Sequence, residues 1–466
     1  MTRPNILWYC TDQQRFDTIG ALGNPYVKTP TLDRLVEDGV SFTNTYCQSP
    51  ICTPSRASIM TGLYPSRARN TRNGNDTFPE DTPLISKLIA DSGYACGLIG
   101  KFHLVSAGHR PEPRFNDGFT YWQHSHAPRD DWQEGTHQYA DWVREQGQSL
   151  DEMRNAPERV KPEYHQTKWA SDCAIDYLSQ DHGGNPWLLN INIYDPHPPF
   201  IPPAEYDAQF NPDDMPGPYF KESDLKNQKR LENIDFQDEV RRPEEHQAKS
   251  AQAKYYAMIA QIDDQFARIL KALEETGQRD NTVIIFTSDH GETLGDHGLM
   301  FKGCRFYEGL VKVPLIFSFP GQFKPNKQCS GLVELLDLSA TLLELAGVEI
   351  PDYHQGESLL SCLTGDELGD RLRSSARCEY FDAMDSFFTG GRGTYATMHR
   401  TDRYKLVVYH DHGLGELYDL IVDPWEFTNL WDDPASEIIK NQLIFESFNQ
   451  HVNLTTNVGS KRVAPM

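Results

Sequence analysis

The stretch NTVIIFTSDHGE, residues 281–292, decides the fold. Val283 to Phe286 form an unbroken apolar run that ends in a polar turn. A continuous run of this kind, without alternation, suits a strand covered on both faces, as in a parallel sheet. Three further runs read the same way: NILWYCTD (5–12), ACGLIGKFHL (95–104) and WLLNINIYDPHPPF (187–200). Helical patterns separate them. TPTLDRLVEDG offers Thr29 as N-cap, Pro30 in the first turn and Gly39 as a stop. KYYAMIAQIDDQFARILKALEETG places Tyr255, Met258, Ile262, Phe266, Ile269 and Leu273 on one face and closes at Gly277. LVELLDLSATLLELAGV reads as another helix. Alternating strand and helix predicts an α/β fold, a large doubly wound, mixed, mostly parallel sheet sandwiched by helices.

Two segments depart from this rhythm. Residues 105–165 and 203–248 are rich in Pro, His, Trp and charge, and read as insertions over one edge of the sheet. After about residue 370, YATMHRTDRYKLVVYH and GELYDLIVDPWEFTNL read as antiparallel strands followed by a helix. The expected division is a catalytic domain over 1–368 and a smaller C-terminal α+β subdomain with a short antiparallel sheet over 369–466.

Composition narrows the function. A net charge of −23 disfavours general nucleic-acid binding, which needs clustered Lys and Arg. An anionic substrate would need positive charge concentrated in a pocket. No apolar run reaches the roughly 18–20 residues that span a bilayer, so no membrane association is expected. The chain opens on Met1 and runs straight into a strand without a signal-peptide pattern. The expected compartment is therefore the cytoplasm, or the periplasm if a leader has been removed. The nine cysteines are irregularly spaced without a CxxC pair, which is neither a disulfide framework nor a zinc ribbon.

Ligands of open α/β sheets bind beyond the carboxyl ends of the strands. The four strands deliver Asp12, then Lys101 and His103, then His197, then Asp289 and His290 to that edge. Asp12, Asp289 and His290 form an oxygen-rich set with one imidazole, suited to Ca²⁺, Mg²⁺ or Mn²⁺. In isolation, Asp289 capping a turn with His290 packed against it is an equally good reading. Lys101, Lys302 and Arg56 are the cations available to hold an anion, although each alone reads as a solvated charge.

SPICTPSRASIMTG, residues 49–62, adds a cysteine at a helix start. Thr53 is expected as N-cap and Pro54 in the first turn. Cys52 then sits against free N–H groups that favour an anion, with Arg56 one turn on. On these grounds alone Cys52 reads as a thiolate nucleophile of lowered pKa.

The same residues resemble a known pattern. CTPSR followed by ASIMTGLYP resembles the sulfatase signature Cys-x-Pro-Ser-Arg with its Thr-Gly continuation. GKFHL resembles a Gly-Lys-Trp-His block, with Phe102 in place of Trp. DPHPPF resembles a Pro-His-x-Pro block, and SDHGETLGDHGLMFK a late metal block with its downstream lysine. YEGLVKVPLIF and ELYDLIVDPWEFTNL resemble two further family segments. The likeness runs in order along nearly the whole chain and points to type I sulfatases of the alkaline-phosphatase-like superfamily.

The resemblance implies that Cys52 is oxidised after translation to formylglycine, by a formylglycine-generating or an anaerobic sulfatase-maturating enzyme. One hydroxyl of the hydrated aldehyde would attack sulfur, and loss of the second hydroxyl's proton would then expel sulfate. By the same resemblance, Asp12, residue 52, Asp289 and His290 would ligate a divalent metal, Ca²⁺ first, with Gln13 as a further candidate ligand. Arg56 would steady the ionised diol, and Lys101 and Lys302 would hold the sulfate. His103 would take the second hydroxyl's proton, and His197 would protonate the leaving alkoxide.

The pair Asp12-Gln13, where many relatives have two aspartates, and His290 in place of Asn resemble choline-sulfatase-like and phosphonate-monoester-hydrolase-like branches. Lys101 and His103 favour a sulfatase. For the rest of the substrate the candidates are Arg72, Asn73, His109, Arg110, Trp122, His124 and His126, each of which could equally pack its loop. A sulfated carbohydrate is the first expectation, from the polar and aromatic loops, and a small aryl or choline sulfate the second. A phosphodiesterase or phosphonate monoester hydrolase, and a non-catalytic sulfoglycan-binding protein with unmodified Cys52, are the competing readings.

Overall fold

The computed structural model describes residues 3–456, apart from 76, 80, 107–109, 157–159, 366–372 and 385–392. Its centre is an eight-stranded sheet. In chain order the strands are β1 (Asn5–Thr11), β2 (Val40–Phe42), β3 (Ala95–Gly100), β4 (Tyr121–His124), β5 (Trp187–Asn192), β6 (Thr282–Ser288), β7 (Leu315–Ser318) and β8 (Lys327–Cys329). Their spatial order is β8-β2-β7-β6-β1-β5-β3-β4. The β6-β1-β5-β3-β4 block is parallel throughout. The strand β7 is the exception, running antiparallel to both β6 and β2.

The unbroken apolar strands have the expected cause. In β1, Ile6, Trp8 and Cys10 enter one core while Leu7 and Tyr9 enter the other. In β6, Val283 and Ile285 face the first core and Ile284 and Phe286 the second. Side chains alternate across a strand, so burial on both faces requires apolar residues at every position. The first core is covered by α2 (Cys52–Thr61) and by Leu335–Leu345, the second by α1 (Pro30–Glu37), Gln166–Leu178 and the long helix Ala248–Glu275. The six apolar residues read onto one face of that long helix are all buried.

A second sheet of four antiparallel strands follows: Ser375–Phe381, Tyr395–Thr401, Tyr404–Tyr409 and Leu414–Asp419, paired in sequence. The final helix, Glu437–Thr456, contributes Leu443 to a small core with Leu406 and Leu417. The fold class is therefore as the sequence implied. The boundary drawn at 368/369 lies outside the described residues.

A buried ion cluster ties the small sheet to the short helix Glu308–Val311. Lys405 Nζ lies 2.6 Å from Glu308 and 2.7 Å from Glu426, and donates to Phe306 O at 2.7 Å. Burial would raise Glu308, but Lys405 and Lys312 hold it well below the usual carboxylate range. Burial pushes Glu426 up, more than Lys405 offsets. Lys405→Met will leave Glu426 buried without its cation and Glu308 with the more distant Lys312. The expected loss is about 3–5 kcal/mol of stability, read as a lower denaturation midpoint, because unpaired buried charge costs more than the pair gained.

Candidate active site

The strands β1, β3, β5 and β6 bring their exit residues together at one edge. Gly100, at the end of β3, has φ 94°, and a Cβ there would stand 1.9 Å from Asn192 O, so only glycine lets Lys101 leave the strand this close to β5. Gln13 (φ 69°) and His103 (φ 56°) are held in the left-handed region, an uncommon backbone state that concentrates at functional sites.

The helix α2 begins at Cys52, two residues earlier than expected, with Ile51 as its N-cap residue. Thr53 is therefore not the cap; it lies in the first turn and its hydroxyl has no partner. The capping acceptor comes from elsewhere: Asn73 Oδ1 accepts from Thr53 N at 2.9 Å. Ser55 Oγ donates to Asp289 O at 2.6 Å and fastens the helix to the end of β6. Arg56 donates from Nε to Asp289 Oδ2 at 2.8 Å and from Nη1 to Lys101 O at 2.7 Å. Its Nη2 is buried, 3.8 Å from Asp12 Oδ2, and makes no hydrogen bond.

Everything converges on the Cys52 sulfur. Lys302 Nζ donates to it at 2.9 Å, and His290 Nε2 lies 3.1 Å away. Asp12 Oδ1 is at 3.7 Å, and His103 and His197 are near enough for the charge on the sulfur to act on them. Lys101 Nζ bonds Asp12 Oδ2. All of these side chains are buried except His197, which is half-buried, with its ring 4.7 Å from Tyr194.

The electrostatics follow from this crowding. Burial would raise the Cys52 thiol, but Lys101, Lys302, His290 and His103 drive it well below its ordinary value. Burial and Cys52 push Asp12 up, and Lys101, His197 and Arg56 overcome them and hold it at about 2. His290 is raised to about 9: burial opposes its charge, and Asp289 and Cys52 outweigh burial. His103 is pushed down to about 3 by burial and Lys101. His197 is lowered by burial and Lys302 against the pull of Asp12. Position 52 is thus built to carry negative charge, with His290 favoured as a cation and His103 and His197 held neutral.

Asp12, Cys52, Asp289 and His290 each aim a ligand atom into one space, all within 4.8 Å of one another. His290 donates from Nδ1 to Gly291 O at 2.8 Å, which turns Nε2 toward the cluster as the nitrogen that would ligate a cation once it gives up its proton. Two carboxylates, one imidazole and residue 52 at this spacing fit a divalent cation. Gln13 is engaged differently: its Oε1 accepts from Lys302 Nζ at 2.7 Å and its Nε2 donates to Glu292.

The other candidates scatter. Arg72 bonds Asp382 O at 2.9 Å and pairs with the Asp382 carboxylate. Arg110 donates to Asn75 O and Val105 O. His124 is fully buried, with Nδ1 bonded to Thr136 O at 3.2 Å, and Trp122 packs on Phe102. The His126 ring lies 4.5 Å from that of His103. His109 lies outside the described residues.

Sequence reasoning passed over Glu292, which is buried behind Gln13, and Glu112, whose carboxylate accepts from Leu104 N, Val105 N and Ser106 N just after the Lys-Phe-His turn. Glu292 stood two residues from His290 in the opening stretch, a signal that was available. Glu112 stood in an aperiodic insertion that offered none.

The sulfatase family model matches residues 4–348, and a model for the C-terminal part of N-sulphoglucosamine sulphohydrolase matches 295–452. The multifunctional alkaline phosphatase superfamily protein PehA of Trinickia caryophylli is 32% identical, over 93% of this chain and 92% of that protein. An arylsulfatase of Clostridium perfringens is 29% identical, over 92% of this chain and 90% of its own. The phosphonate monoester hydrolase of Agrobacterium radiobacter superposes with a TM-score of 0.81 at 26% identity, covering 99% of this chain and 100% of that one. With the family model spanning the sheet, the cysteine helix and the four strand-end blocks, the chain belongs to the sulfatase family, hydrolases of the type I branch in the alkaline-phosphatase-like superfamily.

Proposed function

We propose that this hydrolase releases inorganic sulfate from a sulfated carbohydrate, with Cys52 matured to formylglycine. The observation that carries the reading is the buried sulfur of residue 52 with Lys302 and His290 on it, and Lys101 beside it on Asp12. Asp12, residue 52, Asp289 and His290 would hold the metal, Ca²⁺ in the first place and Mn²⁺ or Mg²⁺ otherwise. When bound, the metal polarises sulfate oxygens and lowers the pKa of the hydrated aldehyde.

The chain's own groups supply the rest. Lys101 and Lys302 hold the ester's anionic oxygens and the charge that grows on them. Arg56 offers its unused Nη2 donor to the oxygen on residue 52. His103, kept neutral, accepts the second hydroxyl's proton at a ring nitrogen. His197, half-buried at the edge of the site, delivers a proton to the departing alkoxide.

The carbohydrate is favoured by the match to an amino-sugar sulfohydrolase model and by the polar, aromatic insertions. An aryl or choline sulfate is the smaller alternative. Maturation requires a formylglycine-generating or an anaerobic sulfatase-maturating enzyme as partner. The proposed compartment is the cytoplasm, with the periplasm as the alternative. Among the described residues no helix is long and apolar enough to cross a membrane. We assign the chemistry to the 1–368 domain.

A phosphodiesterase or phosphonate monoesterase is the second reading, favoured by the likeness to a phosphonate monoester hydrolase. Rates on the sulfate monoester and a phosphodiester of one phenol separate the two. The sulfate is expected to react faster by a factor of about 10 or more, a difference of about 1.4 kcal/mol in the barrier. A faster phosphodiester overturns the assignment. Binding without turnover of either ester, by protein from its own host in which Cys52 is unmodified, indicates the sulfoglycan-binding alternative.

A further inference from the structure

We propose that Glu292 is a positioning residue that fixes the ammonium of Lys302 through the side-chain amide of Gln13. The three groups form one buried chain. Glu292 accepts from Gln13 Nε2, and Gln13 Oε1 accepts from Lys302 Nζ at 2.7 Å. Lys302 then spends its next donor on the residue 52 sulfur at 2.9 Å. Glu292 and Gln13 are 0% exposed and Lys302 is 2% exposed, so water cannot substitute for any link.

The chain works because an amide has two unlike ends. Its NH₂ only donates and its carbonyl oxygen only accepts. A carboxylate on one side and an ammonium on the other both demand the same orientation. Replacing the carboxylate by a neutral amide would free Gln13 to turn, and its NH₂ would then oppose the lysine's donors. Lys302 would lose the acceptor that aims it.

Glu292 also holds the backbone that carries the lysine. Its Oε1 accepts from Leu294 N at 3.1 Å and from Phe301 N, so one oxygen joins both ends of the loop that leads into Lys302. Thr293 N closes the same loop on Phe301 O at 3.2 Å. The inference rests on the reading in which Lys302 holds the substrate's anionic group.

A double-mutant cycle with Glu292→Gln and Gln13→Ala in matured, metal-loaded protein tests it, read on whichever ester the wild type turns over. Residues behind a reacting centre typically cost about 10- to 100-fold when removed, and E292Q is expected to lower kcat by that factor with a smaller change in KM. The double variant is expected to match Gln13→Ala alone within about threefold, since the carboxylate acts through the amide. Full multiplication of the two losses, or wild-type kcat in E292Q, overturns the proposal. If E292Q does not fold, Glu292→Asp keeps the charge and draws it back by one methylene. A coupled loss in that variant supports the chain, and unchanged kcat overturns it. A wild type inactive on sulfates but active on phosphodiesters removes the sulfatase reading and leaves the cycle readable.

Discussion

Cys52→Ala will abolish turnover while the protein stays folded. The variant removes the atom that Lys302 and His290 contact and whose charge His103 and His197 sense. Loss of a catalytic nucleophile costs about 10⁴- to 10⁶-fold in kcat, and the residual rate then comes from binding and charge stabilisation alone. The fold has little stake in the sulfur. Helix α2 is held by Ala57, Ile59 and Met60 in the first core, by the Asn73 cap and by Ser55 and Arg56 on Asp289. Thermal melting and circular dichroism of the variant should therefore stay close to the wild type. Collapse would mean that Cys52 is a packing residue. Mass spectrometry of the peptide carrying residue 52, from protein made in its own host, supplies the complementary measurement: sulfur replaced by oxygen is expected, and an intact thiol in active protein would rule out the aldehyde chemistry.

Lys302→Ala carries the second largest effect. Its ammonium is 2% exposed and placed 2.9 Å from the reacting atom, where low dielectric strengthens every interaction with developing negative charge. Removing one such preorganised donor costs about 10²- to 10³-fold in kcat. Arginine is not expected to rescue, because a planar fork cannot occupy the place of a compact ammonium between Gln13 and residue 52. If Lys302 merely balanced the charge of Asp12 and Asp289, Lys302→Arg would restore most of the rate. Steady-state kinetics of the two variants on one sulfate ester distinguish the roles, with kcat falling far more than KM rises in the expected case.

The elements read with most certainty were those whose side chains meet a core. β6 and the long helix carry apolar residues at every strand position or at helical spacing, because both faces of the sheet and one face of the helix are buried. Asp12, Lys101, His103, His197, Asp289 and His290 were legible for a related reason: each stands within a few residues of a strand end, and the parallel order sends those ends to one edge. Thr53 shows where local reasoning failed. Its type and position suited an N-cap, yet the acceptor for the helix start comes from Asn73, a residue first taken as a contact for substrate. His124 was read from loop composition as facing a ligand, and the structure buries it against Thr136.

The sequence by itself determined the layered α/β architecture, the order of the strands that carry chemistry, and the cysteine at a helix start with a cation one turn on. These are short-range properties, written in periodicity and in spacings of a few residues. Only the tertiary structure decided that Gln13 turns its oxygen to Lys302 and its nitrogen to Glu292, that Glu112 gathers three amides behind the Lys-Phe-His turn, and that Lys405 joins the small sheet to the helix Glu308–Val311. Polar groups have no period. Which donor meets which acceptor depends on how separate loops close around a buried space, and that is set by packing across the whole chain.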